Sequence, residues 1–438
     1  MKKNILALSI IAYLLVSCNA GSSNNNLIKN NITGKATDIR INDFISTKYL
    51  YLVTNGEKQC SNIENAQGFG QISQYRIESD GNITNLNKQI SFTYPIQSAY
   101  LSQGSAAGGA ILHVLLGCNS LKIYDIPIEN NTLNPIKEIP HKLVLPEISG
   151  STQKPLYISY KDFDTSRRLY VTGSSTYQFS SEWLGIYSNT QDNLYPEQSY
   201  LFRLFGSLME FQPFQFDPNK NFGYLSGGYL YETQYGGGEI QKFIINPENG
   251  LINSYSSEPQ TNYATVDSTY RIIPDGSQSS YRYSITRSTT SSENNKIEVT
   301  QENLSSTKIY GIYSPSNNTN LHDLTIHGLS LYYDTGSRNG VNNIFLQPLI
   351  SNAAGFLNKT PLIIDQTNLW EPVKTLFLPD ITERSIPIAD RLVVLRNNKN
   401  NNLQIQTIRV LLNNKFTPIT ESSIIESGTN SIVDGFIY

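Results

Sequence analysis

Histidine and aspartate side chains are the groups in this sequence best suited to acid–base chemistry, and they are sparse. The chain of 438 residues contains four histidines. His322, Asp323 and His327 form the one tight group, and histidine exchanges protons near neutral pH. His322 and His327 are five residues apart, and side chains at that spacing on one strand face opposite ways. The spacing therefore predicts local hydrogen bonds rather than a paired catalytic site.

Other sequence patterns of catalysis are missing. No His-Glu-x-x-His run and no Gly-x-Ser-x-Gly run occurs, which removes the signatures of zinc proteases and of many serine hydrolases. Gly104–Gly109 is glycine-rich but leads into no helical pattern, so it predicts no phosphate loop. We expect His113 to be a hydrogen-bonded sheet residue and His141, after Pro140, to lie in a loop. The sequence predicts no metal ion and no cofactor.

The first residues have the pattern of an export signal. Lys2 and Lys3 precede an apolar run from Ile5 to Val16, which is too short to span a bilayer as a stable helix. The run ends in Leu15-Val16-Ser17-Cys18. This stretch resembles the lipobox of bacterial lipoproteins, in which the cysteine thiol receives a diacylglyceryl group and the chain is cut just before it. The alternatives are an ordinary signal peptide with a chance cysteine and a buried N-terminal helix.

The lipobox resemblance implies a protein anchored in the cell envelope by lipid. Residues 1–17 would be the lipoprotein signal peptide, and Cys18 would carry acyl chains such as palmitate, several of which make a stable anchor. In enteric bacteria an Asp after the cysteine retains lipoproteins in the inner membrane, so Asn19 favours the outer membrane. Residues 18–37 are rich in Asn, Ser and Gly and predict a flexible lipidated tether. The periplasmic and the surface-exposed face both remain open.

Composition favours strands and disfavours nucleic acid as a partner. The sequence contains 28 Tyr and 17 Phe but only 2 Met, and aromatic residues are favoured in strands. The formal net charge is −3 at pH 7, and removal of Lys2 and Lys3 with the signal peptide makes it more negative. Nucleic-acid-binding proteins usually present a basic face. No apolar run after the signal approaches transmembrane length.

A repeated strand–turn–strand unit organises the rest of the chain. Its clearest copy is Gly238–Ile252, in which two strand patterns flank the turn Asn246–Gly250. Proline presets φ in this turn, and Asn and Gly tolerate positive φ. Gln241, Phe243 and Ile245 share one face of the first strand. Copies of the unit begin near Ile72, Leu121, Leu184, Ile240, Ile297, Ile344 and Leu403.

The copies keep a common phase along the chain. They are 47 to 63 residues apart, and an upstream turn precedes four of them by 20 to 23 residues, at Asp164, Asp217, Asp275 and Asp380. Four short strands per unit at this period are typical of a β-propeller, because one such sheet cannot bury both faces alone. We therefore predict an all-β, seven-bladed β-propeller over residues 38–438; a β-sandwich or a pair of barrels is the alternative.

The repeats also predict where each blade begins and ends. The expected blade limits are 38–92, 93–148, 149–206, 207–260, 261–318, 319–369 and 370–425. Ser431–Tyr438 reads as a strand without a blade of its own. Propellers often close their ring with a strand from one terminus, which removes an exposed edge. We expect Ser431–Tyr438 to do so, with Asp38–Ile41 as the competitor.

Two strand motifs carry a resemblance to a known group. Tyr49–Gly56 reads Tyr-Leu-Tyr-Leu-Val-Thr-Asn-Gly, and Arg168–Gly173 reads Arg-Leu-Tyr-Val-Thr-Gly. They resemble the Tyr-Val-Thr-Asn repeats of seven-bladed lactonase-like propellers. The blades of that group also contain an Asp/Asn-Gly hairpin, and Ile77–Thr84 and Asn246–Leu251 match this hairpin. The resemblance covers residues 38–438 and concerns architecture more than chemistry. It implies relatives that hydrolyse or isomerise lactones with His, Glu and Arg at the channel mouth, and none of those residues aligns here.

These observations favour a binding protein over an enzyme. The leading hypothesis is a non-catalytic outer-membrane lipoprotein whose propeller binds a protein or carbohydrate partner. The alternatives are a lactonase-like hydrolase or cycloisomerase and a scaffold for envelope assembly, the latter by analogy with eight-bladed propeller lipoproteins. The channel mouth separates the first two hypotheses. Convergent His, Glu and Arg side chains favour an enzyme, whereas an aromatic or featureless face favours binding.

Cys60 and Cys118 remain once Cys18 carries lipid, an even number in an exported chain. Cys60 follows the strand Tyr49–Thr54 of blade one, and Cys118 follows the corresponding strand of blade two. Both are therefore expected in the same kind of connection, on the same face of the ring, in adjacent blades. The sequence predicts a disulfide between them, with about 4 kcal/mol of stabilisation from closing the loop. Two unpaired thiols are the alternative.

The lipid anchor gives the first prediction. Replacing Cys18 by Ala removes the predicted acylation site, so we expect the variant to be extracted without detergent while the wild type enters the detergent phase of a phase separation. Cys60→Ala is the matched control and should leave wild-type partitioning unchanged. Wild-type protein found in the aqueous phase would show that the lipoprotein interpretation is wrong.

Overall fold

Strands are the only regular elements of the described chain. The computed structural model contains 31 strands and no helix among the residues it describes. These residues are 48–56, 69–78, 81–103, 109–118, 120–129, 132–133, 139–147, 153–175, 181–188, 193–203, 209–211, 213–217, 222–229, 237–261, 263–272, 280–288, 296–302, 307–313, 321–327, 330–335, 341–349, 353–356, 361–368, 370–378, 389–412 and 418–438. The all-β prediction is confirmed. None of the described segments is a helix able to cross a membrane.

The first three sheets follow one another along the chain. Sheet 1 contains β1 (Lys48–Asn55), β2 (Gly70–Ile77) and β3 (Ile83–Phe92). Sheet 2 contains β4 (Ile96–Gln103), β5 (Ala110–Leu116), β6 (Lys122–Glu129), the short β7 (Thr132–Leu133) and β8 (Ile139–Leu143). Sheet 3 contains β9 (Gln153–Asp162), β10 (Arg167–Ser175), β11 (Ser181–Ser188) and β13 (Pro196–Arg203). Between β11 and β13, β12 (Asn193–Leu194) leaves sheet 3 and pairs in parallel with β8.

Four more sheets complete the series. Sheet 4 contains β14 (Met209–Phe211), β15 (Gln215–Phe216), β16 (Phe222–Tyr229), β17 (Gly237–Ile245) and β18 (Ile252–Thr261). Sheet 5 contains β19 (Tyr263–Ile272), β20 (Ser280–Ser288), β21 (Lys296–Glu302) and β22 (Thr307–Tyr313). Sheet 6 contains β23 (Leu321–His327), β24 (Ser330–Thr335), β25 (Val341–Pro348) and β26 (Leu362–Asn368). Sheet 7 contains β27 (Trp370–Leu378), β28 (Ala389–Asn398), β29 (Asn402–Leu412) and β30 (Pro418–Thr429).

The last strand returns to the first sheet. β31 (Ser431–Ile437) pairs antiparallel with β1, so sheet 1 has the order β3-β2-β1-β31. Beyond the strand, the backbones of Tyr49 and Tyr438 exchange two hydrogen bonds, at 3.1 and 3.0 Å. The expected closure by Ser431–Tyr438 is therefore observed. The competing segment Asp38–Ile41 lies outside the described residues.

The central strands bury both faces because each face meets a different sheet. In β1, Leu50 and Leu52 pack against sheet 7, whereas Tyr51 and Val53 pack against sheet 2. All four side chains are fully buried. A strand of this kind needs a continuous apolar run rather than apolar–polar alternation. The apolar stretches read in the sequence mark these doubly buried strands.

Apolar clusters join successive sheets into a ring. Described clusters lie between sheets 1 and 2, 2 and 3, 3 and 4, 5 and 6, 6 and 7, and 7 and 1. Sheets 4 and 5 meet where the Arg282 guanidinium lies 4.7 Å from the Tyr224 ring. The Ser280 hydroxyl also donates to Asp217 at 2.7 Å. A closed series of mostly four-stranded antiparallel sheets is a β-propeller. The predicted limits are close to the observed ones: sheet 1 ends at Phe92 and sheet 7 begins at Trp370.

The turn Asn246–Gly250 fastens sheet 4 to sheet 3. Gly250 has a φ of 73°, and its amide donates to the Asn246 carbonyl at 2.9 Å. The outer side of the turn accepts hydrogen bonds from the preceding sheet: Arg168 Nε donates to the Asn249 carbonyl at 2.8 Å, and the Tyr170 hydroxyl donates to the Gly250 carbonyl. The equivalent turn of sheet 1 does the same on sheet 7, where Thr407 donates to the Gly81 carbonyl at 2.8 Å.

Asn55, at the end of the Val-Thr-Asn motif, joins sheets 1 and 2. Its amide nitrogen donates to the Ile96 carbonyl at 2.9 Å, and its amide oxygen accepts from the Ile96 amide at 2.8 Å. In sheet 3 the matching position is Gly173, where a Cβ atom would lie 2.5 Å from the Trp183 ring and 2.4 Å from the Lys154 carbonyl. Gly therefore replaces the Asn of the motif at this position, because the neighbouring Trp183 indole leaves no room for a side chain.

The close fit around Gly250 gives the second prediction. A Cβ atom there would lie 2.5 Å from two ring carbons of Phe163 and 2.8 Å from Arg168 Cγ. Gly250→Ala should therefore lower the free energy of unfolding by about 2 kcal/mol or more, through positive φ and steric overlap. Gly109→Ala, whose Cβ would meet only the Ile128 carbonyl at 3.5 Å, should change it by less than about 0.5 kcal/mol. Equal urea midpoints for the two variants would contradict this account.

Candidate functional site

An axial cavity lies where strands at one edge of the sheets face one another, and in sheet 1 this edge strand is β31. Its volume is about 470 Å³, within the range of roughly 300–1,000 Å³ common for small-molecule sites. Residues from six sheets form its wall, on or next to β4, β9, β15, β19, β27 and β31. The lining residues are Gln97, Ser98, Ala99, Tyr100, Tyr157, Ile158, Ser159, Pro213, Phe214, Gln215, Phe216, Thr269, Lys374, Val433, Asp434 and Phe436.

Aromatic rings make up much of the cavity wall. The aromatic lining residues are Tyr100, Tyr157, Phe214, Phe216 and Phe436. Phe214 is buried and stacks on Tyr170 with ring centroids 4.7 Å apart. Phe216 meets Phe214 at 5.1 Å and Tyr170 at 4.8 Å, both edge to face. These contacts hold the Phe216 ring in place while leaving it partly exposed to the cavity.

Lys374 and Asp434 are the charged lining residues, and they form an ion pair with each other. Their side chains are 30% and 21% exposed. The Asp434 carboxylate also accepts the Gly435 amide at 2.7 Å, and the Lys374 ammonium lies 5.1 Å from the Phe436 ring centroid. The pair joins β27 to the closing strand β31 and leaves the wall close to neutral.

The remaining polar groups of the wall are amides and hydroxyls. Gln97, Gln215 and Thr269 line the cavity and are partly exposed. Ser98 is buried and its hydroxyl accepts the Ile158 amide at 3.3 Å, which joins β4 to β9. The described lining contains no His, Glu or Arg side chain, the types that the resemblance to lactonase-like propellers would imply at this place. The cavity is thus equipped for binding by neutral hydrogen bonds and aromatic contacts.

The histidine group singled out in the sequence lies on β23, and its one member with a described side chain, Asp323, is not among the described lining residues of the cavity. Leu321–His327 is the first strand of sheet 6. Its pairing with β24 shifts register between His322 and Leu324, so strict alternation does not hold along it. Asp323 accepts the Thr375 amide and thereby joins sheets 6 and 7. The side chains of His322 and His327 lie outside the described part of the structure.

A buried Ser–His–Asp arrangement crosses sheet 2. The Ser102 hydroxyl lies 2.9 Å from His113 Nε2, and His113 Nδ1 lies 2.7 Å from the Asp125 carboxylate. His141 Nε2 approaches the same carboxylate at 3.3 Å. The His113 ring stacks on Tyr160 of sheet 3 at 4.3 Å. This order of groups occurs in serine hydrolases, but His113 is fully buried, so no substrate reaches it and the network joins two sheets.

Sequence reasoning found one part of this network and missed the rest. His113 is a hydrogen-bonded sheet residue, as expected. The expectation of a loop at His141 is wrong, because His141 lies within β8 and pairs opposite Ile123. Pro140 is compatible with a strand here because, among the described residues, β12 pairs with β8 only at Lys142 and Leu143, so no described strand requires an N–H donor from Pro140 on that side. The sequence signal that could have revealed this network is one polar residue in each of four adjacent strands. These residues are Ser102, His113, Asp125 and His141.

Arg396 is a buried charged group between sheets 6 and 7. Its side chain is 1% exposed and pairs with Asp365 of sheet 6. It also donates to the Gln404 and Gln406 amides. Burial lowers the pKa of the Arg396 guanidinium, while the charge of Asp365 opposes that effect. Removing one partner from such a pair would leave a buried charge without compensation.

Glu182 of β11 is almost completely buried at 1% exposure. No hydrogen-bond partner of its Oε1 atom lies among the described residues. Burial raises the pKa of its carboxyl well above the ordinary value, because removal from water penalises the charged form. Glu182 does not line the cavity, so this shifted group belongs to the framework rather than to the site.

The remaining predicted site residues stand as follows. Cys18 and Cys60 lie outside the described residues. Cys118 lies two residues after the end of β5 and has a φ of 53°. The disulfide therefore stays a prediction. Among the described residues, no group of three or more His, Cys, Asp or Glu side chains is placed to hold a metal ion.

Comparisons with known proteins give distant structural likenesses. The sequence matches no protein-family model and no curated protein. A puromycin hydrolase is 7% identical with a TM-score of 0.46, over 83% of this chain and 50% of that chain. A Mycobacterium tuberculosis puromycin-hydrolyzing peptidase is 9% identical with a TM-score of 0.42, over 85% and 53%. Chaetomium thermophilum Sqt1, bound to the N-terminus of a ribosomal protein, is 10% identical with a TM-score of 0.43, over 88% and 83%.

These likenesses assign no function. This chain spans about half the length of the two puromycin-hydrolyzing proteins, and every TM-score is below 0.5. The assignment of the fold as a propeller rests on the ring of sheets itself.

The buried carboxyl of Glu182 gives the third prediction. The pKa of Glu182 is raised in the folded state. The free energy of unfolding is therefore unaffected by this carboxyl below the pKa of the unfolded state, and it decreases as pH rises from there through the pKa of the folded state. Glu182→Gln should therefore flatten the decline of the thermal midpoint between acid and neutral pH and stabilise the protein at pH 7. The exposed Glu147→Gln is the control and should retain the wild-type slope. Parallel pH profiles for wild type and Glu182→Gln would contradict this account.

Proposed function

We propose that this protein is a non-catalytic binding module that receives its ligand in the axial cavity. The observation that carries the proposal is the chemistry of the wall. Aromatic rings and neutral amide and hydroxyl groups converge there, and the two charges are paired with each other. Catalysis by acid–base chemistry needs a titratable group within reach of the ligand. Apart from the phenols of Tyr100 and Tyr157, the described wall offers only the paired Lys374 and Asp434 for that purpose.

The wall is also held rigid before any ligand arrives. Phe214 and Phe216 are packed on Tyr170, and Lys374 is held by Asp434. A site whose side chains are already ordered loses little entropy on binding, which favours affinity. The strands that present these residues belong to six sheets, so the whole ring determines the shape of the cavity.

The proposed module consists of seven blades tethered to the outer membrane. The seven sheets would be the blades, and acyl chains on Cys18 would hold them to the envelope through residues 18–37. A Cys60–Cys118 disulfide is compatible with the geometry near one corner. Asn55 binds the backbone of Ile96, and the Gly117 amide donates to the adjacent Pro95 carbonyl at 2.7 Å. The two connections therefore start beside the same corner of sheet 2.

A variant with a blocked cavity gives the fourth prediction and tests the proposal. Thr269 lines the cavity and is partly exposed, so Thr269→Trp should fill space without removing a wall group. Size-separated fractions of a cell-envelope extract would be added to the mature protein, and thermal unfolding measured. We expect at least one fraction to raise the midpoint of the wild type by about 1–3 °C and to leave Thr269→Trp unchanged.

Tyr195→Trp is the matched control, because Tyr195 is 58% exposed and lies outside the cavity lining. This variant should respond like the wild type. Absence of any stabilising fraction, or an equal response from Thr269→Trp, would overturn the proposal. Hydrolysis of lactones by the wild type that Thr269→Trp abolishes would show an enzyme instead.

A further inference from the structure

We infer that the ligand of the axial cavity is a neutral saccharide. This inference rests on the proposed binding function and narrows it to one ligand class. Saccharides combine apolar C–H faces with hydroxyl groups that both donate and accept hydrogen bonds. The cavity wall offers the complement of both features and discourages a charged ligand.

The apolar complement is supplied by partly exposed aromatic rings. Phe216 presents a ring that is fixed by Phe214 and Tyr170 and lies 4.8 Å from the Lys161 ammonium. Phe436 comes from β31 and is fixed beneath Lys374. Sugar rings stack on such surfaces because their C–H groups are weakly positive and the aromatic face is negative. A fixed ring binds with less loss of entropy than a mobile one.

The polar complement is supplied by uncharged groups that donate and accept. Gln97 carries an amide with two donors and an acceptor, and Thr269 carries a hydroxyl. Their partial exposure places them at the surface of the cavity. A sugar hydroxyl that leaves water must recover both kinds of hydrogen bond, and these groups can provide both.

The ion pair argues against a charged ligand. A ligand carboxylate or phosphate would have to compete with Asp434 for Lys374, and a ligand amine would have to compete with Lys374 for Asp434. Both side chains are largely buried, so separating them would leave one charge poorly solvated. A neutral ligand leaves the pair intact.

The test combines defined probes with chemical treatment of the stabilising fraction. Neutral glucose and N-acetylglucosamine trimers would be compared with sialylated and sulfated saccharides by calorimetry on the full mature protein. The fraction that stabilises the wild type would be treated in parallel with periodate, which cleaves vicinal diols, or with protease. We expect neutral saccharides to bind and periodate, not protease, to remove the stabilisation.

Two variants locate the binding groups, so that a change of packing in one of them is separated from a loss of ligand contact. Phe216→Leu keeps apolar bulk but removes the aromatic face, and Gln97→Ala removes one amide. Each should weaken binding of the neutral saccharide, or of the stabilising fraction, by about tenfold, while Tyr195→Leu should not. Binding of charged saccharides alone, or unchanged affinity in both cavity variants, would overturn the inference.

The outcomes separate this inference from the proposed function. A fraction that loses its effect with protease but not with periodate would show a peptide ligand, which overturns the saccharide while the binding function stands. If no fraction stabilises the wild type and no saccharide binds, both fail. A saccharide that binds Thr269→Trp as well as the wild type would lie outside the cavity and would also overturn the inference.

Discussion

The two-sided burial of the central strands is the constraint on which the rest of this structure depends. Val393 and Leu395 of β28 pack toward sheet 1, whereas Leu392 and Val394 pack toward sheet 6. Each such side chain stabilises the fold by about 1.5–3 kcal/mol when it is fully removed from water. A sheet built in this way has no face that tolerates solvent, so every sheet needs two neighbours. Only a closed series of sheets satisfies that need, and the cavity at its axis follows from the closure.

Polar contacts then fix how the neighbouring sheets are aligned. Apolar packing is weakly directional, whereas hydrogen bonds form only in a narrow range of geometries. The contacts of Arg168 with the turn at Asn249 and of Asn55 with Ile96 therefore fix the position of each sheet relative to its neighbour. The buried pair of Arg396 and Asp365 adds a charged link between sheets 6 and 7. Such groups add little net stability because their desolvation is costly. Their contribution is to define the geometry in which the first strands converge.

The fold could be read from the sequence far better than the site. The turn Asn246–Gly250 requires positive φ, and the strand segment Leu50–Val53 is buried on both faces. Each requirement selects particular residue types at consecutive positions, so both can be recognised in the sequence. The cavity combines Tyr100, Phe216 and Phe436 from three sheets. Each looks like an ordinary strand aromatic, and only the ring brings them together. The inter-sheet pairs of Arg396 and Asp323 were likewise invisible, because their partners are distant in sequence.

The closing strand has a consequence for how the molecule comes apart. A linear array of repeats frays from its ends, because a terminal repeat has one neighbour and can melt alone. Here β31 pairs with β1, so sheet 1 also packs against sheet 7 and no sheet is terminal. Loss of any one sheet exposes an apolar face on at least one neighbouring sheet, so we expect the sheets to unfold in one cooperative event. The same pairing joins residues at nearly opposite ends of the described chain, so we expect the ring to form late and folding to be slow.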